Sequence, residues 1–433
     1  MAKLPINTTL KTERCRSLTV LQELGEGGQG TVYKVDYDGR PMALKWYHEN
    51  VFPGRQKQFL ENLRNNIAHG TPHECFLWPL DVTEPSNGSI GYIMELRPPE
   101  YIVMTRFLLK QKFASFQVCA DAMLHIVNAF RIMHNDGFSY QDLNDGNFFI
   151  NPKTGDLLIC DNDNVSYPGF NTGVVGKSRY MAPEVVLGQK LPDKASDRFS
   201  LALILFLLLC KSHPLEGAGA TPPCLTPSIE KIIYGSNPVF IFDPQNDTNR
   251  PIRGVHTNAI NMWPCLPVYL QDAFIKAFTK ASMTCTNGIY GGPRVIEREW
   301  VDILSRFRSS IVPCPCGNQE FVNEEKYVCS VCGKPLPVAN SLKLARYTMP
   351  AYPGAKILRG QLSNCGDDVA IEPVAEIIAA PNDPKVYGIR NASKETWRCI
   401  TSTGEQRNLA PDEVCPVKTG IRADTGNGSF EII

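Results

Sequence analysis

The sequence predicts an α+β protein, on three observations. Residues 18–47 alternate apolar and polar positions between glycine-rich turns, the pattern of antiparallel strands. Most segments from residue 193 to about residue 308 carry helical spacing. The end of the chain returns to short apolar runs, such as Val374-Ala375-Glu376-Ile377-Ile378, cut by Pro, Asn, Asp and Gly, which read as a small all-β unit. At 433 residues the chain is too long for one ordinary domain and long enough for two or three.

Between the first strands and the helical region the elements follow in order. Residues 53–69 place Phe59, Leu60, Leu63 and Ile67 on one helical face. Residues 90–96 read as a further strand, stopped by Arg97-Pro98-Pro99. Residues 116–133 are helical again, with Val118, Ala122, Ile126 and Ala129 near one stripe. A polar stretch at 243–258 interrupts the later helices and reads as a surface loop.

Composition narrows the partners. Lys+Arg and Asp+Glu both number 44, which argues against general nucleic-acid binding or docking on an anionic membrane. The longest apolar run, 199–210, is interrupted only by Ser200 and falls short of the roughly 20 residues that span a bilayer. The first residues are polar and lack the apolar centre of a signal peptide. The 15 cysteines therefore read as thiols or metal ligands rather than disulfides, and the expected location is the cytoplasm.

The first chemical signal is Gly25-Glu26-Gly27-Gly28-Gln29-Gly30-Thr31-Val32. Phosphates need close backbone approach, and glycine allows it by lacking a Cβ. Alone, this run describes a flexible hairpin turn equally well. The second signal, Ala43-Leu44-Lys45, puts a lysine at the end of an apolar strand just downstream. A glycine-rich hairpin followed by a strand lysine resembles the protein kinase family, where the pair covers and grips ATP phosphates.

The family's remaining motifs follow in order with altered letters. The catalytic loop H-R-D-x-x-x-x-N appears as Tyr140-Gln141-Asp142-Leu143-Asn144-Asp145-Gly146-Asn147. The metal-binding D-F-G triplet appears as Asp161-Asn162-Asp163, and A-P-E is intact at Ala182-Pro183-Glu184. Asp197 opens the apolar 199–210 run, and His213-Pro214-Leu215-Glu216-Gly217 is similar to the segment that follows in bacterial-type serine/threonine kinases. Arg294, upstream of Trp300, matches the arginine that pairs with the A-P-E glutamate. The resemblance covers roughly 15–308 and implies a bilobal protein-kinase-like fold.

It also implies roles. Gly25, Gly27 and Gly30 would cover the phosphates, Val32 and Ala43 would join the nucleotide site, and Lys45 would hold the α/β-phosphates. The lysine's carboxylate partner is expected on the 53–69 helix, with Glu61 as the candidate. Met94 would back the adenine pocket, and the backbone of Glu95 and Arg97 would meet the base edge. Asp142 would orient the acceptor hydroxyl and take its proton. Asn147 and Asp161 offer hard oxygen ligands for Mg²⁺ or Mn²⁺. The implied activity is ATP-dependent phosphoryl transfer to Ser or Thr of a protein substrate, in a bacterial signalling or stress system. A pseudokinase scaffold, or a kinase-fold transferase with another acceptor, is the alternative.

Three departures bear on that reading. Asn144 stands where the family carries a lysine beside the transferred phosphate; Lys177 is the candidate replacement, an exposed activation-segment lysine being the other reading. Gln141 replaces the arginine that receives an activation-loop phosphate, so activity is expected not to depend strongly on activation-segment phosphorylation, although Thr172 and Ser178 remain open to modification. Asn162 and Asp163 alter the triplet's apolar packing and add an acceptor near the metals.

Cys314-Pro315-Cys316-Gly317 and Cys329-Ser330-Val331-Cys332-Gly333 form two pairs, each followed by glycine. That pattern suits tetrahedral thiolate binding of a structural Zn²⁺ and resembles a zinc ribbon. Few nearby bases (Lys326, Lys334) oppose Glu320, Glu324 and Glu325, so a protein-facing or structural role is favoured over nucleic acid. The tail, with Gly388 to Ser393 and Trp397, resembles the C-terminal half of a forkhead-associated sandwich, without the Gly-Arg and Ser-x-x-His elements that contact phosphate there. Asn391 and Ser393 read equally as turn residues or ligands. The expected organisation is an N-lobe at 1–96, a C-lobe at 97–308, a zinc ribbon at 309–339 and a β-sandwich-like domain at 340–433. Bacterial kinases of this arrangement imply a cognate phosphatase and a von Willebrand A-type protein as partners.

Overall fold

The computed structural model describes residues 3–49, 54–86, 88–167, 176–222, 224–284, 294–322, 327–363 and 369–433. Thr172, Glu324, Glu325 and Lys326 lie outside the described residues. An antiparallel six-stranded sheet comes first, built from β1 (Thr9–Lys11), β2 (Ser17–Glu26), β3 (Gly30–Tyr37), β4 (Arg40–Tyr47), β5 (Asp81–Val82) and β6 (Gly91–Glu95). Its spatial order is β1-β2-β3-β4-β6-β5. The two-residue side-chain period explains both faces. Met42, Leu44 and Trp46 of β4 join Val20, Val35 and Ile93 in one cluster. Ala43 and Tyr47 point the other way, against Tyr92, Met94 and the helix α1 (Gln56–His69). Lys45, in step with Ala43 and Tyr47, faces the same side.

Helix α1 buries Phe59, Asn62, Leu63 and Asn66, so its inner face carries two asparagines as well as the expected apolar residues. Beyond β6 come β7 (Ile102–Val103), α2 (Met104–Leu109) and α3 (Phe116–Asn135), whose N-terminus is capped by Ser115 accepting from Val118 N. Strands β8 (Phe148–Ile150) and β9 (Leu157–Ile159) pair in the order β7-β8-β9 and bracket the loop between. The Lys194–Cys210 helix is apolar nearly all round because it runs through the middle of the second core. Asp193 and Ser196 start it with a reciprocal capping box.

The last part of the chain forms two sheets. A six-stranded one takes Thr348–Ala351, Asn340–Lys343, Ser429–Ile432, Arg422–Asp424, Trp397–Ile400 and Gln406–Leu409 in spatial order. A four-stranded one takes Lys356–Leu358, Pro373–Ala380, Asp383–Asn391 and Val414–Pro416. Trp397, Phe430 and Ala423 of the first share a core with Ala375, Ile377 and Ile389 of the second, the arrangement of a sandwich. Cys314, Cys329 and Leu336 belong to that same core. The sandwich also grips the preceding helical part: Gln117 Nε2 donates to Ile311 O at 2.9 Å and Tyr352 Oη at 2.8 Å, and Gln361 Nε2 donates to Ser309 Oγ at 3.1 Å.

Candidate active site

The glycine-rich segment is the β2–β3 hairpin, closed by Gly27 N donating to Gly30 O at 2.8 Å. Gly30 has a steric reason to be glycine, since a Cβ there would stand 2.2 Å from Trp46 O on the paired strand. Gly25 and Gly28 face open space. The tip folds toward the lysine: Gln29 Oε1 accepts from Lys45 Nζ at 3.3 Å. Val32 pairs with Lys45 across the ladder, and Ala43 pairs with Met94, so these residues border one recess. Glu95 turns its side chain outward to Arg40, 3.3 Å away. The Arg97 guanidinium lies 4.4 Å from the centre of the Phe149 ring and donates to Pro98 O and Tyr101 O.

Lys45 Nζ stands 3.0 Å from Asp161 Oδ1, although 116 residues separate them in sequence. It also donates to both oxygens of Asp163, at 3.1 and 2.9 Å. Burial opposes the ammonium charge, but Asp161 and Asp163 overcome that and raise its pKa. Glu61 does not take the expected part. It lies exposed on α1, and the helical period explains why: with Phe59, Asn62, Leu63 and Asn66 turned inward, position 61 faces solvent. The carboxylate partners of Lys45 come from the Asp161-Asn162-Asp163 segment.

That segment is a tight turn with Asp161 in the left-handed region (φ 57°) and a 3₁₀ turn over Asn162–Asn164. Asn162, where the family has an apolar Phe, is buried and donates to Leu77 O and Ile159 O, both at 2.9 Å. The apolar packing is thus replaced by backbone hydrogen bonds. Asp161 keeps about a third of its side chain exposed, with only Oδ1 engaged by Lys45.

The catalytic-loop segment is held from beneath. Asp197 accepts from Tyr140 N at 2.6 Å and Gln141 N at 3.2 Å. His134 joins Asp197 (3.1 Å) to Glu297 (2.8 Å), and these carboxylates raise its pKa against the opposing effect of burial. Gln141, at φ 71°, donates through its amide to Ser166 Oγ. Asn147 Nδ2 donates to Asp142 O at 2.9 Å, fixing the two residues relative to one another. The Asp142 carboxyl is pushed up to about 6, first by burial and then by the charge of Asp161. Asn144 Nδ2 donates to Asp142 Oδ1 at 3.3 Å, and Lys177 Nζ donates to Asn144 Oδ1 at 3.1 Å.

The described end of the activation segment, from residue 176, is held by side-chain pairs. Arg179 pairs with Glu216 through two contacts of 2.5 and 2.9 Å, Tyr234 Oη donates to Glu216 at 2.7 Å, and His213 Nε2 reaches Arg179 O at 2.8 Å. Arg294 forms a buried bidentate pair with Glu184, each contact 2.8 Å, as the resemblance implied.

Sequence reasoning missed Gln29, Tyr47, Asn62, Asn66 and Tyr92 at this site. Tyr47 carried a signal, lying two residues past Lys45 on the same strand face. Tyr92 carried the same signal, two residues before Met94 on its strand, and Gln29 sat within the glycine-rich run; Asn62 and Asn66 had none, because apolar periodicity does not register inward-facing polar residues.

Away from the cleft, Cys314, Cys316, Cys329 and Cys332 hold their sulfurs within 4.8 Å of one another. Cys314 and Cys332 Sγ are 3.6 Å apart, and Cys316 and Cys329 Sγ 3.7 Å. Ligands on a tetrahedral Zn²⁺ at about 2.3 Å lie about 3.8 Å from each other, so the four thiols fit such an ion. In the tail, Asn391 spends its side chain on Glu395 O, Leu409 O and Ser393, while Ser393 Oγ accepts from Trp397 Nε1. Both residues are turn-formers here.

Comparison with known proteins agrees with the motifs. Residues 18–233 match the model of the protein kinase domain. The DNA damage-responsive serine/threonine-protein kinase RqkA of Deinococcus radiodurans is 29% identical over 217 residues, covering 46% of this chain and 30% of that protein. Serine/threonine-protein kinase Pkn1 of Myxococcus xanthus is 25% identical over 219 residues, covering 48% of this chain and 30% of Pkn1. Serine/threonine-protein kinase mos of Xenopus laevis is 25% identical over 214 residues, covering 46% of this chain and 59% of mos. The chain thus spans less than two thirds of the length of these relatives.

Proposed function

From a chain whose residues 18–233 are a protein kinase domain, we propose ATP- and Mg²⁺-dependent phosphoryl transfer to Ser or Thr hydroxyls of protein substrates. One observation carries the proposal: Lys45 and Asp161 meet at 3.0 Å beside a partly buried Asp142 whose proton affinity Asp161 raises. A cation for phosphates, a hard oxygen ligand and a proton acceptor therefore share one recess.

Asp161 fits Mg²⁺ or Mn²⁺, since it is an accessible carboxylate with one oxygen engaged by Lys45, and Asn147 supplies a second hard donor. The bound ion would neutralise phosphate charge. Lys45 would hold the α/β-phosphates, the β2–β3 hairpin would close over them, and Asp142 would orient the acceptor hydroxyl and take its proton on a carboxylate oxygen. A scaffold that only bound nucleotide would have no use for an acceptor-orienting carboxylate at 142. Lys177 would place its ammonium, through Asn144, beside the transferred group.

The four thiols would hold a structural Zn²⁺, closed to further chemistry and bracing the base of the sandwich. The cytoplasm is the proposed location; none of the described helices is long and apolar enough to cross a membrane. A bacterial signalling system with a cognate phosphatase and a von Willebrand A-type protein is the proposed setting.

Labelled ATP tests the reading. With Mg²⁺ and a mixed Ser/Thr peptide pool, label should pass from the γ position and be recovered as phosphoserine or phosphothreonine. Label passing only from the α position would replace the reading with nucleotidyl transfer, and no transfer would leave a scaffold.

A further inference from the structure

We infer that Asp163 has taken over from the helix glutamate as the carboxylate that positions Lys45, and that α1 has thereby lost its ionic hold on the site. The inference deepens the proposed function and rests on it for the role of Lys45. Asp163 is fully buried. Its Oδ2 accepts from Lys45 Nζ at 2.9 Å and Tyr47 Oη at 2.5 Å; its Oδ1 accepts from Lys45 Nζ at 3.1 Å and Tyr92 Oη at 3.4 Å. With both oxygens engaged by these donors, Asp163 serves the lysine rather than a metal ion. The rings of Tyr47 and Tyr92, 5.5 and 6.0 Å from the ammonium, wall the pair from water.

Helix α1 approaches the same place with uncharged groups. Asn62 Nδ2 donates to Val165 O at 2.9 Å and Asp163 O at 3.4 Å, and Asn66 Nδ2 donates to Val165 O at 2.8 Å. The helix therefore grips the backbone of the metal-binding segment, while the segment's own side chain grips Lys45. Alignment of the lysine travels with Asp161-Asn162-Asp163. Its ion pair, Arg64 with Glu13, lies away from Lys45, so a displacement of α1 would break no ion pair to the lysine, and regulation by swinging this helix in and out loses that electrostatic lever.

The test uses the full chain and two readouts, affinity for Mg-ATP and γ-phosphoryl transfer. Asp163→Asn keeps the shape and removes the charge; it should lower the thermal midpoint, because Lys45 stays buried without its charge partner, and well below that midpoint lower kcat/KM about 100-fold with loss of nucleotide affinity. Glu61→Gln should match wild type. Lys45→Met should lose affinity to a similar degree, and adding Asp163→Asn to it should cost little further, because the carboxylate acts through the lysine. Equal losses in Glu61→Gln and Asp163→Asn, or wild-type behaviour of Asp163→Asn, would overturn the inference. So would a further loss on adding Asp163→Asn to Lys45→Met as large as the loss in wild type, since it would reduce Asp163 to a packing residue. If wild type binds Mg-ATP and transfers nothing, the transfer reading fails alone, and the affinities still decide the role of Asp163.

Discussion

Lys177 Nζ lies 3.1 Å from Asn144 Oδ1, and the amide of Asn144 in turn donates to the carboxylate of Asp142. The ammonium of Lys177 thus stands one side chain from Asp142, and its proposed role is to replace the cation absent from position 144. Lys177→Ala should lower kcat by an amount equivalent to about 3 kcal/mol, the scale of removing one transition-state donor, with little change in KM for ATP. Steady-state kinetics beside Lys153→Ala, an exposed lysine in a β8–β9 turn, provides the comparison. Equal effects of the two variants would remove Lys177 from the site.

The raised Asp142 carboxyl sets a pH dependence. The ionised form accepts the hydroxyl proton, and half of it is lost near pH 6. Turnover should hold above that value and fall roughly tenfold per unit below it. The pH profile of kcat/KM at limiting Mg-ATP, which reports the groups of the free protein, checks the sign; a flat profile down to pH 5 would separate Asp142 from proton transfer.

Gln141 joins Ser166 through a neutral amide, and Arg179 already has Glu216 as its carboxylate. Among the described residues, position 141 thus offers an added phosphate a neutral amide instead of a cation, and Arg179 is already paired. Phosphatase treatment should leave transfer activity intact, whereas Glu216→Gln should lower it by loosening Arg179, Tyr234 and the segment between. Loss of activity on dephosphorylation would contradict this.

The thiol cluster shares its core with the sandwich, so metal loss should be felt beyond the cluster. One Zn²⁺ per chain is expected by elemental analysis. Strong chelation or Cys329→Ser should raise protease sensitivity across residues 311–433 while ATP binding persists. A chain that purifies without zinc and resists proteolysis equally with and without chelator would contradict the assignment.

Much of this site was legible because its chemistry follows regular periods. Strand alternation put Lys45 on the face of Ala43 and Tyr47, and the motif spacings brought Asp142, Asn147, Asp161 and the Arg294–Glu184 pair to their places. The expectation for Glu61 came from the family's pattern, which puts the lysine's carboxylate on this helix, whereas the inner face of the helix carries Asn62 and Asn66. Asp163 was seen as an extra acceptor but not as the partner of Lys45, since a contact across 118 residues leaves no local pattern. Docking of the sandwich on α3 and on the Glu297–Ser309 helix was equally silent: it runs through Gln117 with Tyr352 and Ser309 with Gln361, polar groups whose pairing is decided only by the assembled surfaces.

The most direct measurement is single-turnover transfer from γ-labelled ATP in wild type and Asp142→Asn, with Mg-ATP affinity determined for both. Wild type should transfer label to Ser or Thr, and Asp142→Asn should bind nucleotide as tightly while transferring at least about 100-fold more slowly. Equal transfer by both proteins would show that the convergence of Lys45, Asp161 and Asp142 is not the catalytic centre.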